Sequence, residues 1–265
     1  MAPITSALTR VLVTGFGPFA GVPNNPSWGI ASRLPTDIGN NITLFVHPEA
    51  VPVAYKPVLS TVPELVSDFQ PDISLHIGVA EGRTYFAVEQ TSRRGVYSYG
   101  RDVNGEVFPN ADGEKLWGDQ ATVLSTDINL HGVVDEWQRR TAGVVWPKAG
   151  GTSVASKMAS TQVEVKLRED VLKVEAGGLS SFEGDDDDDV RWSDNVGTYL
   201  CAFIYYTSMV EMSRETVGHR RDTAFMHVPL LVSEEELQMG VDITVELIQS
   251  LVGTWRDQRA AEGVL

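Results

Sequence analysis

The chain has 265 residues, of which 42% are hydrophobic and 22% charged, so it can bury a sizeable core without disulfides or metals. Its formal net charge of -15 argues against partners such as nucleic acid or anionic membranes, because both attract clustered Lys and Arg. The single cysteine, Cys201, excludes an internal disulfide and indicates a reducing, cytoplasmic location. The N-terminal sequence lacks the apolar segment of a signal peptide, and no stretch reaches the length of a transmembrane helix.

Apolar runs alternate with helical periodicities along the chain. The run at 10–16 predicts a buried strand, and Asn25-Pro26 predicts the N-cap and first residue of a helix. The same reasoning predicts further strands at 42–47, 72–79, 85–89 and 223–228, and helices at 57–69, 133–140 and 200–212.

The last predicted helix has the clearest signals. Ser233 and Glu236 have the spacing of a capping box. Apolar residues at helical spacing predict its buried stripe: Leu237, Val241, Val245, Ile248, Val252 and Trp255.

The alternation of strands and helices predicts an α/β protein with an open twisted mixed sheet and helices on both faces, a three-layer α/β/α arrangement. We expect a single domain over residues 1–265. Residues 143–189 are small, polar and acidic, which predicts an insertion or a surface excursion within it. The aspartate run 185–189 is interpreted as a solvated loop rather than as a metal site.

Cys201 is the candidate nucleophile. Gly197 permits a tight turn, and the helical pattern that begins just after it places Cys201 in a first helical turn. There the helix dipole is expected to lower the pKa of the thiol, and backbone N–H groups can hold an oxyanion. The alternative is a small buried hydrophobic residue.

A thiol nucleophile needs a base and a group that orients the base. His227 stands at the carboxyl end of a predicted strand, where open α/β sheets place their sites. Glu89 ends an apolar segment and is the candidate orienting carboxylate. A core histidine and a surface carboxylate are the respective alternatives, and His76, in mid-strand, is interpreted as structural.

Four segments, taken together and in order, resemble the pyroglutamyl peptidase I (pyrrolidone carboxyl peptidase) family of cysteine peptidases. They are VLVTGFGPFAGVPNNPSW at 11–28, PDISLHIGVAEGRTYFAVE at 71–89, DNVGTYLCAFIYYTS at 194–208 and AFMHVP at 224–229. The resemblance implies a catalytic triad of Glu89, Cys201 and His227. It also implies removal of N-terminal pyroglutamyl (5-oxoproline) residues from peptides by thioester acyl transfer, without a metal or cofactor.

A pyroglutamyl ring is a flat, uncharged lactam, so an apolar pocket with a few hydrogen bonds should bind it. Phe16 and Phe19 are candidates for flat contacts with the ring, and Tyr199 for closing the pocket. Asn25 either hydrogen-bonds near the site or caps its helix, and the aromatic residues could equally be core. Arg101 is a candidate for stabilising the oxyanion together with the backbone at Cys201.

The chain also departs from the family pattern. Many relatives have glycine at the position of Glu81, and bacterial relatives have asparagine at the position of Ala202. The segment 93–101 fits the bacterial pattern poorly, and the insertion is absent from compact relatives. Two alternatives therefore stay open: a thiol amidase with a different acyl specificity, and a catalytically silent binding protein. Assembly into a homo-oligomer is also open.

Overall fold

The computed structural model describes residues 8–19, 21–144, 189–216 and 218–264. The strands are β1 Thr9–Gly15, β2 Ile42–Val46, β3 Ile73–Val79, β4 Phe86–Glu89, β5 Thr91–Arg93, β6 Val123–Ser125, β7 Val190–Ser193 and β8 Thr223–Val228. The helices are α1 Pro26–Ala31, α2 Tyr55–Phe69, α3 Asn110–Trp117, α4 Leu130–Thr141, α5 Leu200–Glu215 and α6 Glu234–Ala261. Nearly all of the predicted insertion at 143–189, with the aspartates before Asp189, lies outside the described residues, and the single-domain organisation stays a prediction.

The main sheet has six strands in the order β2-β1-β3-β8-β4-β7. The first four are parallel, whereas β4 runs antiparallel to β8 and parallel to β7. Strands β5 and β6 form a separate antiparallel ribbon. This mixed sheet confirms the predicted α/β fold.

Helices cover both faces of the sheet. Apolar residues of α1, α4 and α6 pack against one face, which we call the α6 face. Those of α2, α3 and α5 form a second cluster on the opposite face, the α5 face. Since side chains alternate across a strand, Leu75 and Ile77 point to the α6 face and His76 to the α5 face.

The predicted helix caps are confirmed. Asn25 caps α1, its Oδ1 accepting from the backbone N–H of Ser27 at 3.1 Å. Ser233 and Glu236 form the capping box of α6. Four residues of the predicted α6 stripe are buried, whereas Leu237 and Val245 are only partly buried. Because this helix contacts both α1 and α4, its buried side also includes Met239, Ile243, Leu247 and Leu251.

Helix α3 and strands β5 to β7 were not predicted. In α3 only Gly113 and Trp117 are buried, so its sequence carries little apolar periodicity. The three strands are only three or four residues long, too short for a clear alternation. Across the described part of the chain, no helix is both long and apolar enough to cross a membrane.

Candidate active site

The candidate base and its carboxylate lie on neighbouring strands and on the same face. Phe225 of β8 belongs to the α5-face cluster, so His227, two residues later, points to that face as well. Phe86 and Val88 of β4 point to the α6 face, which directs Glu89 to the α5 face. Glu89 Oε1 and His227 Nδ1 are 2.7 Å apart, although the two residues are 138 positions apart in sequence.

Glu89 has no exposed surface, and its charge is balanced by donors on three sides. Oε1 also accepts from Arg83 Nη1 at 2.6 Å, and Oε2 accepts from the backbone N–H of Asn195 at 3.0 Å. Burial by itself opposes ionisation of this carboxyl, but the hydrogen bonds and charges of His227 and Arg83 outweigh it and hold the pKa of Glu89 at about 2. Glu89 is therefore a carboxylate at neutral pH and can fix the imidazole orientation.

Arg83, on the loop between β3 and β4, completes this cluster. Its Nη1 lies 3.5 Å from His227 Nδ1, and its Nη2 donates to Asn195 O at 2.8 Å and to Ser193 Oγ at 3.3 Å. The side chain is only 13% exposed. Sequence reasoning assigned Arg83 no role, because a loop arginine carries no local signal of the carboxylate that it meets.

Cys201 lies in the first turn of α5 and packs against β3, the strand next to the one that carries His227. Gly78 of β3 is the register partner of His227 on β8. A Cβ added at Gly78 would stand 2.8 Å from Cys201 Sγ and 2.7 Å from Phe225 Cζ. Because glycine has no side chain, the thiol can pack directly against β3 at Gly78, beside the strand that carries His227.

The predicted lowering of the Cys201 pKa by the helix dipole is wrong. Burial, the largest influence, and the negative charge of Glu89 raise the pKa of the thiol to about 12, although Arg83 and the cysteine's own backbone N–H act in the opposite direction. The thiol is thus protonated at neutral pH, so its activation requires a base that accepts the proton.

A cavity of about 350 Å³ opens beside the thiol. All four predicted substrate-binding residues line it, as does Cys201. The complete lining is Phe16, Phe19, Asn25, Val53, Val79, Glu81, Gly82, Val196, Gly197, Thr198, Tyr199, Leu200 and Cys201. Most of this wall is apolar, and its volume suits a small ring-shaped ligand.

The loop after β1 is held in place by Asn25 and Ser27. Asn25 Nδ2 donates to Gly17 O at 2.9 Å, and Ser27 Oγ lies 3.0 Å from the backbone N–H of Phe16, which donates to it. Asn25 Oδ1 accepts both from Ser27 N and from Ser27 Oγ. An amide nitrogen has two hydrogens, and among the described residues only one N–H of Asn25 has a partner. Asn25 therefore both caps α1 and lines the cavity.

Tyr199, the N-cap residue of α5, forms part of the cavity wall. Its hydroxyl donates to Arg101 O at 2.8 Å, and its ring meets Tyr55 edge-on. The Arg101 guanidinium donates to Gly105 O at 2.7 Å; the residue is exposed and does not line the cavity. Its role toward the oxyanion stays a prediction.

His76, which was interpreted as structural, lies in the core away from the cavity. His76 is fully buried, and its Nδ1 lies 2.7 Å from Thr14 Oγ1. Burial lowers the pKa of His76 to about 3, so the ring is neutral.

The fold and these groups define the class. An α/β sheet carries an imidazole fixed by a buried carboxylate, with a thiol at a helix N-terminus packed against the adjacent strand. This is the set of groups found in cysteine peptidases, where the base takes the thiol proton and the carboxylate orients the base.

Comparisons with known proteins show which proteins the chain resembles. The sequence model described as "Pyroglutamyl peptidase" matches residues 9–124. Human pyroglutamyl-peptidase 1 is 26% identical over 222 residues, which are 83% of this chain and 79% of the human protein. The pyrrolidone-carboxylate peptidase of Fusobacterium nucleatum is 34% identical over 83 residues, 31% of this chain. These comparisons show that the chain is similar to pyroglutamyl peptidases.

The chain aligns with less than half the length of some of these relatives: 37% of the Fusobacterium protein and 40% of that from Thermococcus onnurineus. Solved structures show the same fold. A variant of the pyrrolidone carboxyl peptidase of Pyrococcus furiosus has a TM-score of 0.65 at 17% identity, covering 93% of this chain and 100% of that one. The pyroglutamyl peptidase I of Bacillus amyloliquefaciens has a TM-score of 0.62 at 22% identity, covering 93% and 94%.

Proposed function

We propose that the protein is a cysteine exopeptidase that removes an N-terminal pyroglutamyl residue from peptides. One observation carries the proposal. The Cys201 thiol opens into an apolar cavity and packs against Gly78 of β3, beside the strand whose His227 is hydrogen-bonded to Glu89. The names of the related proteins support the same activity.

The enclosed part of the cavity suits a lactam better than a charged N-terminus. Phe16, Val53 and Leu200 are at most 4% exposed, and none offers a partner for an ammonium group. Desolvating a cation there would be costly, whereas a neutral lactam loses little. The free N–H of Asn25 is the donor that we assign to the lactam carbonyl.

In the proposed first half-reaction, His227 accepts the proton of the Cys201 thiol. The sulfur then attacks the carbonyl carbon that joins pyroglutamate to the next residue. Backbone N–H groups in the first turn of α5 stabilise the oxyanion. His227 next gives its proton to the leaving nitrogen, the C–N bond breaks, and a thioester to Cys201 remains.

In the second half-reaction, water attacks the thioester while His227 takes one of its protons. The C–S bond breaks, pyroglutamic acid leaves, and the proton on His227 returns to the thiolate. Through both steps Glu89 holds the ring and stabilises its charged form, and Arg83 holds Glu89. Both act on the base rather than on the substrate.

The proposal extends to compartment and partners. Cys201 is a free thiol, so we place the enzyme in the reducing cytoplasm. The net charge of -15 favours peptides over nucleic acid or anionic membranes as partners. No metal or cofactor takes part in the proposed steps, and self-assembly stays open.

Release of a coumarin from pyroglutamyl-aminomethylcoumarin tests the proposal. We expect turnover by the reduced wild type, none after iodoacetamide, and none for Cys201→Ala. A folded, reduced wild type that leaves this substrate intact would contradict the proposal and favour the silent binding protein.

Prolyl-aminomethylcoumarin is the matched substrate, since it differs from the pyroglutamyl compound only in lacking the ring carbonyl and in carrying a charged amine. We expect it to react at least about a hundredfold more slowly, because the cavity must desolvate that charge and leaves the Asn25 donor unpaired. Equal or faster prolyl release would identify a thiol amidase with a different acyl specificity.

A further inference from the structure

We infer that Glu81 makes the enzyme selective for substrates with a cationic residue directly after pyroglutamate. The inference rests on the proposed function and adds the substrate class that the site prefers. Glu81 is the only Asp, Glu, Lys, Arg or His among the described residues that line the cavity.

Glu81 lies at the mouth of the cavity. The residues at the closed end, such as Phe16 and Leu200, are buried. The exposed residues of the lining are Glu81, Gly82, Gly197 and Thr198, so they lie at the opening. If the ring occupies the closed end, the rest of the peptide must leave through this opening.

The loop that carries Glu81 also borders the catalytic base. The leaving nitrogen must be next to His227, since it takes its proton from that ring. Arg83 Nη1 lies 3.5 Å from His227 Nδ1, and Arg83 is two residues after Glu81 on the same short loop. This loop therefore borders both the base and the cavity mouth through which the rest of the peptide leaves.

The Glu81 carboxylate is free to meet a ligand. Arg83, the nearest cation in sequence, is committed to Glu89 and Asn195. Glu81 itself makes no hydrogen bond or ion pair with any residue in the described ranges. An unpaired carboxylate at an opening attracts a lysine or arginine side chain and repels an acidic one.

The test uses three peptides of equal length, pyroglutamyl-lysyl, pyroglutamyl-glutaminyl and pyroglutamyl-glutamyl, with neutral C-terminal amides. We expect kcat/KM to fall in that order, by about two- to fivefold at each step, as is typical of one exposed charge pair. The Glu81→Gln variant should show equal values for all three, and Glu81→Lys should reverse the order. Salt at about 0.5 M should weaken the wild-type preference.

Glu64→Gln is the matched control, because Glu64 is exposed on α2 and does not line the cavity. It removes the same charge and should keep the wild-type order. Equal rates for the three peptides in the wild type, or a preference that survives Glu81→Gln, would overturn the inference. Failure of the wild type to cleave the uncharged coumarin substrate would overturn the proposed function, and the inference with it.

Discussion

The two faces of the central sheet are built by the same strands but present different kinds of side chain. On the α6 face the strands present aliphatic side chains, among them Val13, Ile77 and Met226. On the α5 face the neighbouring positions are Thr14, Gly78 and His227, and β4 adds Glu89 there. One face is a plain hydrophobic core, and the other holds the candidate chemistry.

The difference shows how a buried sheet can be stable and reactive together. Because side chains alternate, each strand contributes to both faces without conflict. Burial of apolar area on the α6 face stabilises the fold. On the α5 face the buried charge of Glu89 is acceptable because it has partners in His227, Arg83 and Asn195. Substitutions on the two faces should therefore have separable effects.

The largest expected loss of activity comes from Glu89→Gln on the α5 face. The amide keeps the shape but not the charge that orients and stabilises the His227 ring, so we expect kcat to fall by roughly a thousandfold or more. Coumarin release, together with circular dichroism to check the fold, measures this.

Glu114→Gln is the control for that variant, since Glu114 is 65% exposed and pairs with Arg94 away from the cavity. Its activity should equal that of the wild type. A Glu89→Gln enzyme within tenfold of the wild type would contradict the orienting role.

A smaller loss is expected from Gly78→Ala. The added methyl group would meet Cys201 Sγ at 2.8 Å, so the thiol must move away from the strand that carries His227. We expect kcat/KM to fall by about 10- to 100-fold and the free energy of unfolding by about 1–3 kcal/mol.

Gly253→Ala tests whether a helix glycine with open space around it behaves differently. Nothing lies within 4 Å of the added carbon at this position in α6. Alanine is the better helix former, so stability should rise by roughly 0.5–1 kcal/mol with activity unchanged. Similar activity losses in both variants would show that Gly78 has no special relation to the thiol.

Arg83→Gln should lower kcat by roughly tenfold. It should also change how the free energy of unfolding depends on pH in the acid range. The pKa of Glu89 is lowered from 4.5 to about 2, so the stability that it contributes is present above pH 4.5 and is lost as the pH falls toward 2. Without the Arg83 cation the pKa of Glu89 rises toward its unfolded value. The variant should therefore lose less free energy of unfolding than the wild type over that interval.

Urea unfolding at several pH values measures this difference, with Arg33→Gln as the control. Arg33 is 38% exposed and pairs with Glu234 at the surface, so its removal should leave the acid response nearly unchanged. The same pH slope in wild type and Arg83→Gln would contradict the role of Arg83 as the counter-ion of Glu89.

The smallest effect on activity is expected on the α6 face. Leu247 of α6 is fully buried there, and Leu247→Ala should lower the free energy of unfolding by about 2–5 kcal/mol. At a temperature where the variant is still folded, kcat should equal that of the wild type. A large fall in kcat for folded protein would mean that the two faces are coupled.

The local elements were predictable from sequence because local interactions form them. The apolar run at β8, the Asn25 cap of α1 and the Ser233–Glu236 capping box of α6 each depend on neighbouring residues. Short elements such as α3 were missed, since they owe their stability to tertiary packing. The family resemblance supplied the candidate triad, which spacing alone could not join.

The sequence by itself therefore determined the α/β class, the caps and the candidate residues. Only the tertiary structure decided that Arg83 contacts both Glu89 and His227, that Gly78 makes room for the thiol, and that Glu81 stands at the cavity mouth. It also reversed the expected pKa shift of Cys201, because burial outweighed the helix terminus. Burial and charge pairing depend on residues brought together from distant parts of the chain, and no local pattern records them.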